Sequence, residues 1–208
     1  MIYPVIRFLK KRLPSFKGLI FKIFFYSKNI KIGKKFKCVS FPNINLTENA
    51  KIEIKNNVFL NRSVEIRAHK NSKIIIGDNV KIDRGVRILG ANESTIEISA
   101  NVRIGLYSVI NGGDSVFIGT KSLISGFVYI QTSMHRYSDS NFIQDQGYNH
   151  TSIRIGEDVW LGAHVTVLPG CNIDDGSIVG SNSVITKSFG KKLIVAGVPA
   201  KKIKRRFD

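Results

Sequence analysis

The sequence predicts an all-β solenoid built from triangular coils, and two observations carry this prediction. An apolar residue recurs at every sixth position over most of the chain, and Gly or another turn-forming residue usually follows it. These positions fall into seven groups of three. A period of six fits neither an amphipathic helix nor an alternating strand, so it indicates an internal repeat.

Each six-residue unit is expected to form a short strand and a turn, so that three units complete one triangular coil. The lead residues then point inward and stack on their equivalents in the next coil. Gly, Asn, Asp and Ser suit the turns because they accept tight or left-handed backbone angles. The 21 leads are Ile32, Cys38, Ile44, Ile54, Leu60, Ile66, Ile76, Ile82, Ile88, Ile98, Ile104, Ile110, Ile118, Ile124, Ile130, Ile155, Leu161, Val167, Ile173, Val179 and Ile185.

Composition sets the size and the charge of the protein. The 208 residues are enough for one sizeable domain. The 32 Lys and Arg against 15 Asp and Glu give a net charge of +17. Such an excess implies an anionic partner: a phosphate-bearing cofactor, nucleic acid, an acidic glycan or lipid headgroups. Cys38 and Cys171 both fall at repeat positions, which predicts buried free thiols and a reducing, cytosolic compartment.

Residues 1–30 are predicted to form an amphipathic, basic helical segment ahead of the repeat. Apolar residues at helical spacing alternate with Lys and Arg, and Pro14 is expected to divide the segment into two short helical pieces. Two interpretations remain open and compatible: docking on an anionic membrane surface, or capping the domain end or a neighbouring subunit. The uncharged runs are too short for a signal peptide or a membrane-spanning helix.

The repeat is interrupted in two ways. About four extra residues follow each of the first four groups, which predicts a ridge along one corner carrying His69, Lys70 and Glu93. The much longer insertion at 131–154 is polar, and a long loop inside a strict repeat indicates a functional site. After Ile185 the period stops, and a basic tail at 188–208 closes the chain, with Pro199 opposing a continued strand.

Several motifs together resemble the hexapeptide-repeat acyltransferases. They are the repeat itself, His135 in the insertion, IGEDVWLGAHVTVLPG at 155–170, GSNSVITK at 180–187 and AGVPAKKI at 196–203. The likeness covers about residues 30–208 and is greatest to the maltose- and galactoside-acetyltransferase branch, which includes O-acetyltransferases of lipopolysaccharide and capsular sugars. It implies that 31–208 form a left-handed parallel β-helix of about seven triangular coils, with 131–154 as the active-site loop.

The resemblance implies that His135 is the catalytic base. Acyl transfer from a thioester to an alcohol requires a base for the hydroxyl proton and a donor for the oxyanion. The neutral form of histidine is available near pH 7. The other histidines carry weaker expectations: a subunit contact for His164, a polar or substrate-orienting loop position for His150, and a corner for His69. Their spacing does not favour a three-histidine zinc site, so no metal is expected.

The resemblance also implies acetyl-CoA as the cosubstrate and locates its cleft. Trp160 would wall the acetyl-pantetheine arm, and a backbone N–H near Gly162 and Ala163 would face the thioester carbonyl. The side chains of Ser181, Thr186 and Lys187 would line the cleft, and Lys201, Lys202 and Arg205 would meet the phosphates. Plain surface packing for Trp160 and solvated charges for the basic residues remain the alternatives.

The acceptor pocket is expected to differ from that of the galactoside-type enzymes. Where they carry an acceptor-binding asparagine, this chain has Tyr107, and Asn111 lies nearby without occupying the matching position. Galactoside or maltose is therefore not the expected substrate. Five arginines are expected to line one flank, either to bind an anionic sugar or as a solvated basic face: Arg62, Arg67, Arg84, Arg87 and Arg103.

The expected function is an acetyl-CoA-dependent O-acetyltransferase acting on a sugar hydroxyl of a surface polysaccharide or its precursor. The resemblance implies a homotrimer with active sites between subunits, and the expected location is the cytoplasm, peripheral at the inner face of the membrane. Two alternatives remain: an N-acetyltransferase on an amino sugar, and a non-catalytic trimeric glycan-binding scaffold. Nucleic-acid binding is not expected, because no recognised nucleic-acid module accompanies the charge.

Overall fold

A computed structural model describes the backbone of residues 2–207 and the side chains of residues 12–207. Helix α1 (Ile2–Phe25) precedes a parallel β-solenoid of about seven turns. The solenoid matches the predicted left-handed β-helix, so the fold class expected from the sequence is confirmed.

The strands follow in chain order, three to a coil. The first five coils contain β1 (Ile30–Ile32), β2 (Lys37–Cys38), β3 (Asn43–Leu46), β4 (Lys51–Ile54), β5 (Phe59–Leu60), β6 (Glu65–Ala68), β7 (Lys73–Ile76), β8 (Lys81–Ile82), β9 (Arg87–Gly90), β10 (Thr95–Ile98), β11 (Arg103–Ile104), β12 (Val109–Gly112), β13 (Val116–Ile118), β14 (Leu123–Ile124) and β15 (Tyr129–Gln131). The insertion contains β16 (Ser133–His135), a short 3₁₀ helix (Ile143–Asp145) and β17 (Tyr148–His150). The remaining strands are β18 (Ile153–Ile155), β19 (Trp160–Leu161), β20 (Thr166–Val167), β21 (Asn172–Ile173), β22 (Ile178–Val179), β23 (Val184–Ile185), β24 (Leu193–Gly197) and β25 (Ala200–Arg205).

Three sheets form the three faces of the prism. The first face contains β1, β4, β7, β10, β13, β18 and β21, and the second contains β2, β5, β8, β11, β14, β19, β22, β24 and β25. The third face contains β3, β6, β9, β12, β15, β20 and β23. All neighbouring strands within the faces run parallel except β24 and β25, which pair antiparallel.

The lead residues form the core, as the sequence predicts. All of them are buried except Ile44, which is partly buried in the first coil. They stack in register: Ile66 pairs with Ile88, which pairs with Ile110 in the following coil. Burying a side chain of this size typically contributes about 1.5–3 kcal/mol. The coils also approach closely at turns, since a Cβ on Gly119 would lie 2.5 Å from the Gly156 carbonyl.

The two cysteines are buried free thiols, as expected. Burial raises the pKa of Cys38 to about 11, although the nearby Lys17 opposes this shift. Burial also raises the pKa of Cys171. Because the thiolate is the reactive form, both side chains act as small apolar core residues.

Helix α1 corrects one expectation from the sequence. Pro14 lies inside a single continuous helix and does not divide it into two pieces. The C-terminal half of the helix packs on the first coil: Phe21 is fully buried, and its ring lies 5.7 Å from those of Phe36 and Phe41. A Cβ on Gly18 would lie 2.2 Å from the Phe36 carbonyl oxygen, so the two backbones nearly touch.

This close approach fixes the position of α1 on the first coil. The helix therefore covers the end of the solenoid with one face. The predicted apolar and basic side chains of residues 1–11 lie outside the described side chains. Within the described residues, no helix combines the length and hydropathy needed to cross a membrane.

The tail folds more regularly than the sequence suggests. Strand β24 continues the second face beyond β22, and β25 returns antiparallel to it, with the turn at Val198 and Pro199. Two ion pairs anchor this hairpin to the last coils: Lys191 to Asp175 at 2.9 Å and Arg206 to Asp158 at 2.7 Å. The exposed lysines of β25 oppose edge-to-edge association.

Candidate active site

The insertion at 131–154 presents His135 on a β-hairpin. Strands β16 and β17 pair antiparallel, with Ser133 opposite His150 and His135 opposite Tyr148. The hairpin leaves the prism where the third face turns into the first, and we call this edge the hairpin corner. The exposed His135 ring lies 4.1 Å from the Tyr148 ring, between centroids. Tyr148 therefore restricts the orientation of the imidazole.

His135 lines a pocket of about 370 Å³ at this corner. The hairpin supplies most of the wall, and Pro169 contributes from the following coil. The lining residues are Met134, His135, Tyr137, Ser138, Asn149, Thr151 and Pro169. The pocket is open to solvent, and it offers the imidazole, hydroxyl and amide groups that can bind a polyhydroxylated molecule.

A polar cluster that the sequence did not reveal fixes the base of the hairpin. Ser133 Oγ and His150 Nδ1 are 2.8 Å apart, and Asn92 Nδ2 lies 3.4 Å from His150 Nε2. A Cβ on Gly113 would lie 2.3 Å from Ser133 Oγ and 2.6 Å from His150 Nδ1. His150 therefore holds the hairpin against the prism, and Gly113 leaves the space for it.

We expect Gly113→Ala to displace the hairpin and lower catalytic turnover by about tenfold, since small misplacements of catalytic groups are costly. Circular dichroism should show an intact solenoid, and steady-state kinetics measures the loss. Gly190→Ala is the matched control, because nothing lies within 4 Å of the position where its Cβ would be. Equal turnover in the two variants would show that the hairpin does not depend on this contact.

Most residues predicted to bind acetyl-CoA lie along a different edge, where the second face turns into the third. We call it the ladder corner; it comprises the turns around Tyr107, Phe127, His164 and Ser181. A Cβ on Gly162 would lie 2.6 Å from the Ser181 backbone nitrogen, so these turns are in contact. Lys201 continues the same column, since it pairs with Ala196, and a Cβ on Gly180 would lie 2.9 Å from the Ala196 Cβ.

Ala163 has a free backbone donor at the ladder corner. Its carbonyl accepts a hydrogen bond from the Asn182 N–H at 2.9 Å. Its own N–H has no acceptor in the part of the chain that the structure describes. Trp160, 46% exposed on the second face just before this turn, donates its indole N–H to Ser125 Oγ at 3.0 Å. A free N–H beside a fixed aromatic ring suits a carbonyl that lies against the ring.

Three stacked rings give the ladder corner its name. The Tyr107 and Phe127 rings are 5.6 Å apart, and Phe127 and His164 stack 4.8 Å apart and nearly parallel. All three residues have positive φ, which is costly for non-glycine residues. Sequence reasoning noted Tyr107 and His164 but missed Phe127. Its signal was present, because all three occupy the same position within their six-residue units.

The remaining predicted residues lie on the hairpin side. Asn111 is on β12 of the third face, paired with Gln131. Thr186 and Lys187 follow β23 at the hairpin corner, with the Lys187 amino group 6.0 Å from the Phe189 ring centroid. The predicted residues of one chain therefore form two groups, separated by the third face. Trp160, Gly162, Ala163, Ser181, Lys201 and Tyr107 form one, and His135, Asn111, Thr186 and Lys187 form the other.

The five arginines do not share one flank, contrary to expectation. Arg67 and Arg87 lie on the third face, and both bind Glu65. Burial raises the Glu65 pKa, but these hydrogen bonds lower it below its usual range. The other three arginines lie elsewhere: Arg103 lines a groove on the second face, and Arg62 and Arg84 lie in turns along the ladder corner.

No three His, Cys, Asp or Glu side chains lie close enough together to hold a metal ion in the part of the chain described.

The parallel β-solenoid and its period of six resemble the hexapeptide-repeat β-helices. Residues 152–187 match the family model "Bacterial transferase hexapeptide (six repeats)". A lipopolysaccharide biosynthesis O-acetyl transferase of Escherichia coli, WbbJ, is 41% identical over 100 residues, which are 44% of this chain and 51% of WbbJ. The chain spans about half the length of WbbJ and as little as a quarter of other relatives that it matches.

Two solved structures share the fold. AntD, an N-acyltransferase from Bacillus cereus in complex with dTDP and 3-hydroxybutyryl-CoA, superposes with a TM-score of 0.62 at 24% identity, covering 72% of this chain and 80% of AntD. The polySia-specific acetyltransferase NeuO gives a TM-score of 0.50 at 24% identity, covering 86% and 88%. The resemblance inferred from the sequence is confirmed.

Proposed function

We propose that this chain is an acetyl-CoA-dependent O-acetyltransferase acting on a sugar hydroxyl of a surface polysaccharide or its precursor. The exposed His135 on its hairpin, in a hexapeptide-repeat fold, is the observation that carries the proposal. The comparisons support it: WbbJ is named as a lipopolysaccharide O-acetyl transferase, NeuO as an acetyltransferase specific for polySia, and AntD binds an acyl-CoA.

In the proposed mechanism, His135 accepts the proton of the acceptor hydroxyl while its oxygen attacks the thioester carbonyl. The tetrahedral intermediate carries an oxyanion, which the N–H of Ala163 stabilises. Collapse of the intermediate breaks the carbon–sulfur bond and forms the acetyl ester. The departing thiolate of coenzyme A takes the proton from His135, so the free enzyme is restored.

We propose that a homotrimer brings the two groups of residues together. In one chain the His135 hairpin and Ala163 lie at opposite edges of the third face. A neighbouring subunit can supply the missing half if its hairpin corner lies against the ladder corner. The exposed Leu123 and Trp160, adjacent on the second face, suit such a contact. Light scattering is expected to give three times the 23.2 kDa chain mass, and an active monomer would contradict the arrangement.

The basic tail is proposed to bind the phosphates of coenzyme A. We expect Lys201→Ala to raise the KM for acetyl-CoA about fivefold without changing kcat, the loss of roughly 1 kcal/mol of uniform binding. Acetyl-pantetheine lacks the nucleotide phosphates, so its KM should not change. Lys51→Ala, an exposed lysine near the other end of the prism, is the control. An equal effect on both donors would reject the phosphate contact.

Oxygen and nitrogen acceptors are distinguished by product chemistry. We propose the hydroxyl, and AntD, an N-acyltransferase, represents the other outcome. Acetyl-CoA is incubated with sugar nucleotides and oligosaccharides, and products are read by mass spectrometry before and after mild alkali. An ester loses its acetyl group and an amide keeps it. Absence of transfer to any acceptor, with glycan binding retained, would favour the scaffold.

The proposed location is the cytoplasm, peripheral at the inner face of the membrane. Acetyl-CoA and lipid-linked precursors would both be accessible there. The two buried free thiols are compatible with a reducing compartment.

A further inference from the structure

Helix α1 packs on the solenoid through Phe21 and leaves most of its described large apolar side chains exposed. Two of its basic side chains reach back to the domain: Lys17 Nζ donates to the Val39 carbonyl at 2.9 Å, and Lys22 Nζ donates to the Gly33 carbonyl at 3.2 Å. A surface helix normally buries its apolar stripe and exposes its charged residues. Of the large apolar side chains described in α1, only Phe21 is fully buried.

The opposite side of the helix forms an apolar stripe that the domain does not cover. Phe16, Leu19, Ile23 and Tyr26 recur at helical spacing and are 60%, 57%, 68% and 56% exposed. Leu13 and the 77% exposed Phe24 widen it. A contiguous exposed apolar surface of this kind marks an interaction site rather than a solvated surface.

The charge around this stripe indicates the chemistry of its partner. The first 47 residues contain eleven of the 32 Lys and Arg and none of the 15 Asp and Glu. Exposed lysines border the stripe and the first coil: Lys28, Lys31, Lys34 and Lys35. An apolar stripe in a segment that carries cations and no acidic residue matches the interface of an anionic bilayer, where acyl chains lie beneath phosphate headgroups.

We propose that α1 docks this protein on anionic phospholipid membranes. The helix lies in the interface, with Phe16, Leu19 and Ile23 in the acyl region and Lys34 and Lys35 among the headgroup phosphates. The opposite face of α1 remains on the first coil through Phe21. The surface shares no residue with the proposed acyl-transfer site, so the docking proposal and the acyl-transfer proposal can be tested independently.

The test uses the full chain and sedimentation with vesicles. Wild-type protein is expected to sediment with phosphatidylcholine–phosphatidylglycerol vesicles and not with phosphatidylcholine alone, and added salt should weaken the binding. The double variant Phe16→Ser with Ile23→Ser is expected to bind at least about tenfold more weakly, because it loses the buried apolar area. Unchanged binding by this variant, or no sedimentation of the wild type, would overturn the proposal.

A matched control removes exposed apolar groups elsewhere. Val198→Ser with Phe207→Ser changes side chains that are 70% and 71% exposed at the opposite end of the prism, and vesicle binding should be unaffected. Lys34→Glu with Lys35→Glu tests the charge independently and should also abolish binding to the anionic vesicles. Equal loss in the Val198 and Phe207 control would mean that the effect is not specific to the helix.

Fluorescence from a tryptophan placed in the stripe measures whether the helix enters the bilayer. Phe16→Trp in a Trp160→Phe background leaves one indole, and its emission should shift to shorter wavelength with anionic vesicles.

The alternative occupant of the stripe is a second copy of this chain. If Phe16→Ser with Ile23→Ser lowers the oligomeric mass by light scattering and leaves vesicle binding unchanged, self-association replaces membrane docking as the explanation.

Discussion

Replacing His135 with alanine is expected to lower acetyl transfer by about 10²- to 10⁴-fold, the contribution of a positioned general base. The side chain is exposed on the hairpin and takes no part in the core, so the melting temperature should stay close to that of the wild type. Coenzyme A release with a competent acceptor measures the rate, and the acetylated product is confirmed by mass spectrometry.

His69→Ala is the matched control for this experiment. His69 lies on the same edge of the prism, in the second coil, where its Nδ1 is 2.9 Å from Thr47 Oγ1. It lines no part of the His135 pocket. The control should retain full turnover. Wild-type rates in His135→Ala would remove the proposed base and favour a mechanism in which the acceptor is activated by another group.

The second large effect concerns the core. Ile82→Ala is expected to lower the free energy of unfolding by about 2–5 kcal/mol. Ile82 is fully buried and lies in register between Leu60 and Ile104 of the adjacent coils. Main-chain hydrogen bonds fix the spacing of those coils, so the cavity cannot close by local collapse. Urea denaturation followed by circular dichroism measures the change.

Lys81→Ala is the matched control because Lys81 is the other residue of the same two-residue strand. Its side chain points outward and is exposed, so the free energy of unfolding should change by no more than about 0.5 kcal/mol. Similar destabilisation by both substitutions would contradict the alternation of inward and outward positions on which the coil model depends.

The hairpin shows where prediction of the site from the sequence ends. The position of His135 within the insertion and the resemblance to acyltransferases were sufficient to select it. The contacts of Tyr148, His150 and Gly113 that position it were not predictable. Tyr148 meets His135 across the hairpin, and Gly113 meets His150 because the hairpin folds back on a turn of the preceding coil. The sequence also did not single out Phe127, because its contribution is to stack between Tyr107 and His164 of the adjacent coils.

The packing of helix α1 is the part of the fold that the sequence did not predict. The spacing of its apolar and basic residues indicated an amphipathic segment, but not which side would face the domain. Burial of Phe21 and the close approach of Gly18 to Phe36 decide that orientation. The exposed apolar stripe is a consequence of this packing. Helical periodicity alone would have placed that stripe inward.

The sequence by itself determined the coil architecture, the inward set of lead residues and the identity of the candidate base. The architecture follows from the sequence because the repeat is local: each unit carries its own strand, turn and core residue. His135 lies in the insertion and was selected by the resemblance, so its role stays a prediction. Only the tertiary structure decided that the predicted site residues of one chain lie in two groups along opposite edges of the third face. It likewise decided which side of α1 remains exposed. Both depend on contacts between layers, whose alignment is set by insertions and packing rather than by the period of six.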